Sequence, residues 1–328
     1  MNSENKKEYI EFCQKHTDIC IFSTSWWLDN TAGENNWDVI IIKNNNNEII
    51  ATFPIYIIKK RFQTTITNPM LTQKLGPYIV YPANMKSHEK RISYEHEIYK
   101  KIINQLPKFE YLNISFDQKY KNWLPFYWNS FHQESHYSYR IFNIKNHDDV
   151  FNKFNGSKRT LIRKANNLLV KSDLDYNEFY DFFEQCIKQR KEMVLYTRNY
   201  FINLCKAVYK NKQGKIFYCI DENKRIHAID FVVWDKECAY YLIAMRKDEY
   251  KNSGATELLV YETIKYVSSF VDIFDFEGSM QEGIEEAYRK YGAQQSEYYT
   301  IYKDNRSLAK KAGYSFFNKL VILKRKLL

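Results

Sequence analysis

The sequence predicts a mixed α/β (α+β) chain built from two copies of one unit. Three observations carry this. Asp272–Tyr302 parses as strand, turn, helix, turn, strand. The same order of β-hairpin, helix and strand occurs twice along the chain. With 328 residues, 45% of them hydrophobic and 17% aromatic, the chain can bury a sizeable core and suits two domains better than one. The predicted division is 1–148 and 149–328.

Residues 4–16 have the spacing of a first helix. Asp38–Lys43 and Glu48–Ile58 read as a hairpin about the Asn44–Asn47 tip, with Pro54 marking an edge or a bulge. Leu71–Pro82 is a loop entering a short strand. Glu89–Leu106 is helical in its spacing of Ile92, Ile98, Ile102 and Ile103. A strand over Tyr111–Phe116, a Trp/Phe-rich helix and a strand near Tyr137–Ile144 follow. Between the copies, Asn155–Val170 reads as a basic helix capped by Ser157. Tyr176–Lys191 and Arg198–Tyr209 are amphipathic helices.

The second copy then runs Lys215–Asp221, Arg225–Trp234 and Glu237–Ala244 as strands, with Ala255–Phe270 as a helix. Glu97–Phe116 resembles Leu259–Gly278 in pattern, with Trp128 over Tyr288 and Tyr139 over Tyr299. In the last stretch, Asp272–Glu277 alternates as a strand and Gly278-Ser279 breaks it. Gly283–Tyr291 carries acids early and bases late, as a helix dipole prefers, and Gly292 supplies the left-handed stop. Tyr298–Tyr302 is β-prone.

Tyr288-Arg-Lys-Tyr-Gly292-Ala resembles the Tyr-x-x-x-Gly-Phe that closes the fourth helix of GNAT acyltransferases. Asp275-Phe-Glu-Gly278 is similar to the strand ending of the Fem-type, FemAB-like peptidoglycan-bridge branch. The resemblance implies two tandem GNAT-like acyltransferase domains, the first degenerate and the second catalytic. It implies N-acyl or aminoacyl transfer from an activated donor to an amine, on a cell-envelope or surface-glycan precursor. Acyl-CoA or aminoacyl-tRNA would be the co-substrate, with no tightly bound cofactor. A non-catalytic scaffold of degenerate GNAT domains is the competing reading.

Lys251-Asn252-Ser253-Gly254-Ala255-Thr256 occupies the position of the family's donor cradle, Arg/Gln-x-x-Gly-x-Gly/Ala, and keeps one glycine and one basic residue of it. Arg246 ends the preceding strand, where it could bind an anion. By the resemblance, Tyr288 is the acid that protonates the leaving group, with Tyr291 as its competitor, and a backbone amide near Ala244–Met245 holds the oxyanion. Asp275 and Glu277 share a strand face about 7 Å apart, and either could take the amine's proton. Asp230, apolar on both sides in its strand, is a candidate for a buried partner at an acceptor site. Arg159, Arg163 and Lys164 are candidates for anion or acceptor contact, and a solvated helix face explains them equally.

The net charge of +10 favours an anionic partner such as the donor. No nucleic-acid-binding signature is present, so DNA is not expected. The six cysteines show no metal spacing, and no metal is expected. The N-terminus lacks a signal-peptide pattern, which predicts a cytoplasmic protein. Residues 307–328 combine lysines with Phe316, Phe317, Leu320 and Ile322, a pattern that suits either a peripheral contact at the inner face of a membrane or a helix packed on its own domain. No Walker loop, G-x-S-x-G or HExxH motif occurs.

Overall fold

The computed structural model describes residues 3–60, 63–278 and 280–307. Apart from Ser307, the basic segment 307–328 lies outside them. Helix α1 (Ser3–Lys15) and the short α2 (Ser25–Leu28) precede β1 (Trp37–Lys43), β2 (Ile49–Lys60), β3 (Gln63–Thr67) and β4 (Tyr78–Ile79). Then come α3 (His88–Gln105), β5 (Tyr111–Ser115), α4 (Leu124–Trp128) and β6 (His132–Phe142). Helices α5 (His147–Lys153) and α6 (Gly156–Lys164) lead to β7 (Leu169–Lys171), α7 (Tyr176–Gln189), α8 (Arg198–Lys210), β8 (Gly214–Ile220), β9 (Ile226–Trp234) and β10 (Cys238–Arg246). The chain continues through α9 (Ala255–Val267), β11 (Ile273–Asp275), α10 (Glu282–Arg289) and β12 (Gln294–Asp304).

The described strands form one mixed sheet in the order β1-β2-β3-β5-β12-β6-β11-β10-β9-β8-β7, with β4 beside β2. The strand ending each copy has crossed to the other. β6 pairs with β11, setting Asp275 opposite Arg140, and β12 pairs with β5, setting Thr300 opposite Ser115. Between them β6 and β12 run antiparallel from Gln294↔Arg140 to Tyr302↔His132. This exchange makes β12 longer than the sequence predicts. Gln294, Ser296 and Glu297 do not look like strand residues, yet each has a backbone partner on β6.

A first core gathers Trp37, Phe53, Tyr99, Phe116 and Phe126 around β1–β5 and α3. In the second half, alternate residues of β9 and β10 face opposite ways. Ile229, Phe231 and Tyr240 pack with α7 and α8, whereas Val232, Ala239 and Tyr241 pack with α9. Both faces of this stretch of sheet are therefore covered, which accounts for its nearly continuous apolar runs.

Pro54 sits well inside β2 rather than at an edge of the sheet. β1 lies on one side of it, and the other side is shared by β4, opposite Ala51 and Thr52, and β3, from Tyr56 onward. The proline falls in the gap between them, where its missing N–H breaks no ladder bond. The helix cap before the second copy is Asn155, whose side chain accepts from Ser157 N, not Ser157 itself. β7 is a three-residue strand, too short for periodicity to reveal.

Candidate active site

β10 and β11 run parallel only from Cys238↔Ile273 to Tyr240↔Asp275. Beyond that β10 continues to Arg246, while the chain after β11 turns toward β6, with Phe276 N donating to Tyr139 O at 2.9 Å. The strands part, and a cleft of about 390 Å³ opens between them under α9 and α10. Ala244, Met245 and Arg246 line one wall, Tyr288 and Tyr291 the other, and Lys251 and Thr256 the end at the start of α9. The predicted oxyanion amide at Ala244–Met245 thus borders open space.

The turn into α9 is set by packing. Gly254 has φ +78°, and a Cβ there would meet Leu161 O of α6 at 2.2 Å, so no other residue fits without moving a backbone. Ser253 Oγ donates to Tyr250 O and accepts from Ala255 N. The Tyr250 ring stacks on His227 at 3.6 Å, and His227 is held by Asp221. Three buried polar atoms on the cleft wall have no hydrogen-bond partner among the described residues: Arg246 Nη1, Thr256 Oγ1 and Tyr291 OH. Buried groups of this kind are normally paired, so their convergence fits a polar ligand in the cleft. With a helix N-terminus and Lys251 beside them, they suit a phosphate-bearing donor. Asn252 is exposed on the same turn.

The two strand-end carboxylates have opposite environments. Asp275 is fully buried and accepts from Lys74 Nζ at 2.7 Å, Arg140 Nε at 2.9 Å, Glu277 N at 2.8 Å and Ser138 Oγ. Burial alone would raise its carboxyl, but the Lys74 ammonium and Arg140 guanidinium outweigh it and hold Asp275 well below the usual carboxylate range. A carboxylate so committed does not take up a proton near neutrality, and its place as a candidate base passes to Glu277. Glu277 lies beyond the end of β11 with φ +61°, so the predicted shared face with Asp275 is broken. Its Oε1 is buried and without a partner among the described residues. Burial, then the Asp275 charge, pushes its carboxyl up to about 8. The Tyr288 ring stacks on Phe276 at 4.7 Å. Burial and the neighbouring Glu277 push its hydroxyl up to about 12, so it keeps its proton at neutral pH.

Asp230 is not at an acceptor surface. It lies fully buried beneath α9 with Thr263 Oγ1 donating to Oδ2 at 3.0 Å, and desolvation raises its carboxyl well above the usual range. The basic helix α6 packs on α9 beside the cleft, where Lys158 pairs with Glu257 at 2.8 Å. Arg159 donates to Asn152 O, Arg163 lies over the Phe151 ring, and Lys164 is exposed.

Residues 156–290 match the family model described as an acetyltransferase (GNAT) domain. This part of the chain is a GNAT acyltransferase domain. Among solved structures, FemX is similar over 90% of this chain and 95% of its own, at 13% identity and a TM-score of 0.64. A tandem GNAT protein from the clavulanic acid biosynthesis pathway is similar over 93% and 96%, at 7% identity and a TM-score of 0.52. A conserved protein of unknown function from Bacteroides thetaiotaomicron covers 90% and 97%, at 13% identity and a TM-score of 0.52. The chain as a whole therefore has the tandem GNAT fold. No curated protein matches it. No helix among the described residues is long and apolar enough to cross a membrane.

The GNAT domain takes three site residues from places the sequence pattern did not flag. Lys74 reaches Asp275 from the loop before β4, and Arg140 arrives on the exchanged strand. Arg190, ending α7, donates to Arg246 O at 3.1 Å on the cleft rim. A lysine in the apolar run LTQKLGPYIV and an arginine within SYRIF were the available signals. Either implies a buried partner, but the partner is supplied only by the fold.

Proposed function

We propose that the chain is an N-acyltransferase. It moves an acetyl, longer acyl or aminoacyl group from an activated, phosphate-bearing donor to an amine on a cell-envelope or surface-glycan precursor. The reading rests on one observation: unpaired Arg246 Nη1, Thr256 Oγ1 and Tyr291 OH converge on the cleft where β10 and β11 part, next to the start of α9. The donor phosphates meet Lys251, Arg246 and the first amides of α9. The amine nitrogen attacks the acyl carbonyl carbon, and the Glu277 carboxylate takes the proton it loses. A backbone amide at Ala244–Met245 holds the oxyanion. When the bond to the leaving group breaks, that group takes the Tyr288 hydroxyl proton. Asp275 holds Glu277 N and so positions the base. The acceptor class follows the Fem-type resemblance of Asp275–Gly278.

The test is a thermal-shift titration with acetyl-CoA, longer acyl-CoAs and free CoA. A donor at a hundred times its dissociation constant stabilises the fold by about 2.7 kcal/mol. Thr256→Val, which keeps the volume and removes the hydroxyl, serves as control and should weaken the shift. Absence of a shift with every CoA would remove acyl-CoA as donor and leave aminoacyl-tRNA.

A further inference from the structure

Helix α4 is short, yet it keeps large apolar side chains in water. Leu124, Tyr127 and Trp128 fall at i, i+3 and i+4, on one face of the helix, and are 45%, 60% and 54% exposed. Tyr127 and Trp128 are the most exposed aromatic side chains among the described residues. The other face enters the first core, where Phe126 packs against Tyr99, Phe116 and Phe131. The exposed rings are held in place. Trp123 meets Tyr127 edge-on at 5.5 Å, and His96 of α3 meets Trp128 at 5.0 Å. A single exposed apolar residue is ordinary, but a fixed group of them marks a surface that meets something less polar than water.

Two observations say what that is. The first is the chemistry of the patch. Tyrosine and tryptophan join an apolar ring to a polar edge, the combination favoured at a membrane–water boundary. Bases surround them. Lys100 is exposed one turn beyond His96 on the same face of α3, and Lys303 Nζ donates to Asn129 O at the end of α4. Lys108 is exposed next to Phe109, whose ring lies 6.2 Å from that of Phe131. Against them stands Glu97, while Asp304 and Glu297 are paired with Arg306 and Lys121.

The second observation is where the tail leaves. β12 runs beside β6 to Tyr302↔His132 and beside β5 to Asp304↔Tyr111. Lys303 then touches Asn129, and Asn305 Nδ2 donates to Phe109 O. Residues 308–328, outside the described ones, carry six bases and no acid, interleaved with Phe316, Phe317, Leu320, Ile322 and Leu323. A basic, apolar segment therefore starts at the same corner as the aromatic patch.

We propose that this corner docks on an anionic lipid surface. Leu124, Tyr127 and Trp128 enter the headgroup layer, and Lys100, Lys108 and the bases of 308–328 meet its acidic headgroups. The contact does not depend on the acyl-transfer reading. Co-sedimentation of the full chain with vesicles of phosphatidylglycerol and phosphatidylcholine, compared with phosphatidylcholine alone, tests it. Binding should be about tenfold tighter or more to the anionic vesicles and should weaken as salt is raised. Lipid brominated on its acyl chains should quench tryptophan fluorescence, and Trp128→Phe should remove most of that quenching. Tyr127→Ser combined with Trp128→Ser should weaken binding by about tenfold or more, and so should Lys100→Glu combined with Lys108→Glu. Leu169→Ser, which removes an exposed apolar side chain from the edge strand β7, should change nothing. All are surface changes, and circular dichroism checks that each variant is folded. Equal binding to neutral vesicles, or none to either kind, would overturn the proposal. So would full binding by the Tyr127→Ser, Trp128→Ser variant, which would leave the tail as the sole anchor. A dimer that this variant dissolves would make a second copy the occupant and overturn it equally.

Discussion

In the second half Asp275 faces Arg140 across the β11–β6 ladder; at the same register position in the first half Ser115 faces Thr300 across β5–β12. One position holds a buried ionic cluster, the other a hydroxyl pair 2.9 Å apart. The two long helices differ in the same direction. Helix α9 runs 13 residues from Ala255 to Val267, whereas α3 runs 18 from His88 to Gln105. α9 begins at a left-handed glycine beside an open cleft, whereas α3 begins at Ser87, whose side chain accepts from Lys90 N. Glu257 is bound by Lys158 in the cleft, whereas Glu95 of α3 is enclosed by Tyr81, Arg91 and Asn122. Tyr288 lines the cleft, whereas Trp128 is 54% exposed beside His96. One fold thus keeps an open cleft beside the helix start in one copy and packs side chains beside the corresponding helix in the other. The cause is a longer helix and a handful of side chains, not a different architecture.

The largest effect separates the two ladder positions. Asp275→Asn leaves Lys74 and Arg140 buried without their counter-charge, which should cost about 3–5 kcal/mol in urea unfolding at pH 7. Ser115→Ala removes one hydrogen bond and should cost about 1 kcal/mol. The carboxyl of Asp275 is depressed in the folded state, so its contribution is present above the unfolded carboxylate range and is lost as pH falls toward the folded value. Equal losses for the two variants would break the contrast.

Much of the fold was written in local pattern. The β1–β2 hairpin, α3, α9 and the strand–helix–strand closing each copy follow from periodicity, turn residues and helix-end charges. The exchange of β6 and β12 was not, because each strand's own sequence specifies its pleat but not its neighbour. The site divides in the same way. Arg246, Thr256 and Tyr288, all singled out in the second half of the sequence, line one cleft, and Gly254 begins the helix beside it. Lys74 and Arg140 reach Asp275 only through the exchanged ladder and a distant loop, and their charge reverses the chemistry of the carboxylate they hold. Asp230 and Arg159 show the opposite failure: a charged residue in an apolar or basic context, with a structural partner in Thr263 or the Asn152 carbonyl.

The next contrast is catalytic. With Glu277 pushed up to about 8, its carboxylate form grows as pH rises, so kcat/KM should climb through about pH 8. Glu277→Gln should lower kcat by about 10²–10⁴-fold and flatten that rise. It should also stabilise the fold increasingly between the unfolded carboxylate range and about pH 8, because the raised carboxyl costs the native state stability over that window. Tyr288→Phe should lower kcat by about 10²-fold, and Trp128→Phe in the other copy should leave it unchanged. A pH profile untouched by Glu277→Gln would assign the base elsewhere.

The smallest effect tests why only one helix starts at a cradle. Gly254→Ala places a Cβ against Leu161 O and keeps a left-handed backbone that alanine disfavours, so it should destabilise by about 2 kcal/mol. The displaced turn should also weaken donor binding, since α6 and α9 approach each other through that glycine. In the first copy the N-cap Ser87 accepts from Lys90 N, and Ser87→Ala should cost about 1 kcal/mol. Donor affinity should be untouched by it, because Ser87 is not among the residues that line the cleft beside α9. If Ser87→Ala weakened donor binding as Gly254→Ala does, the two helix starts would share one function, and the distinction between an open and a filled copy would fail.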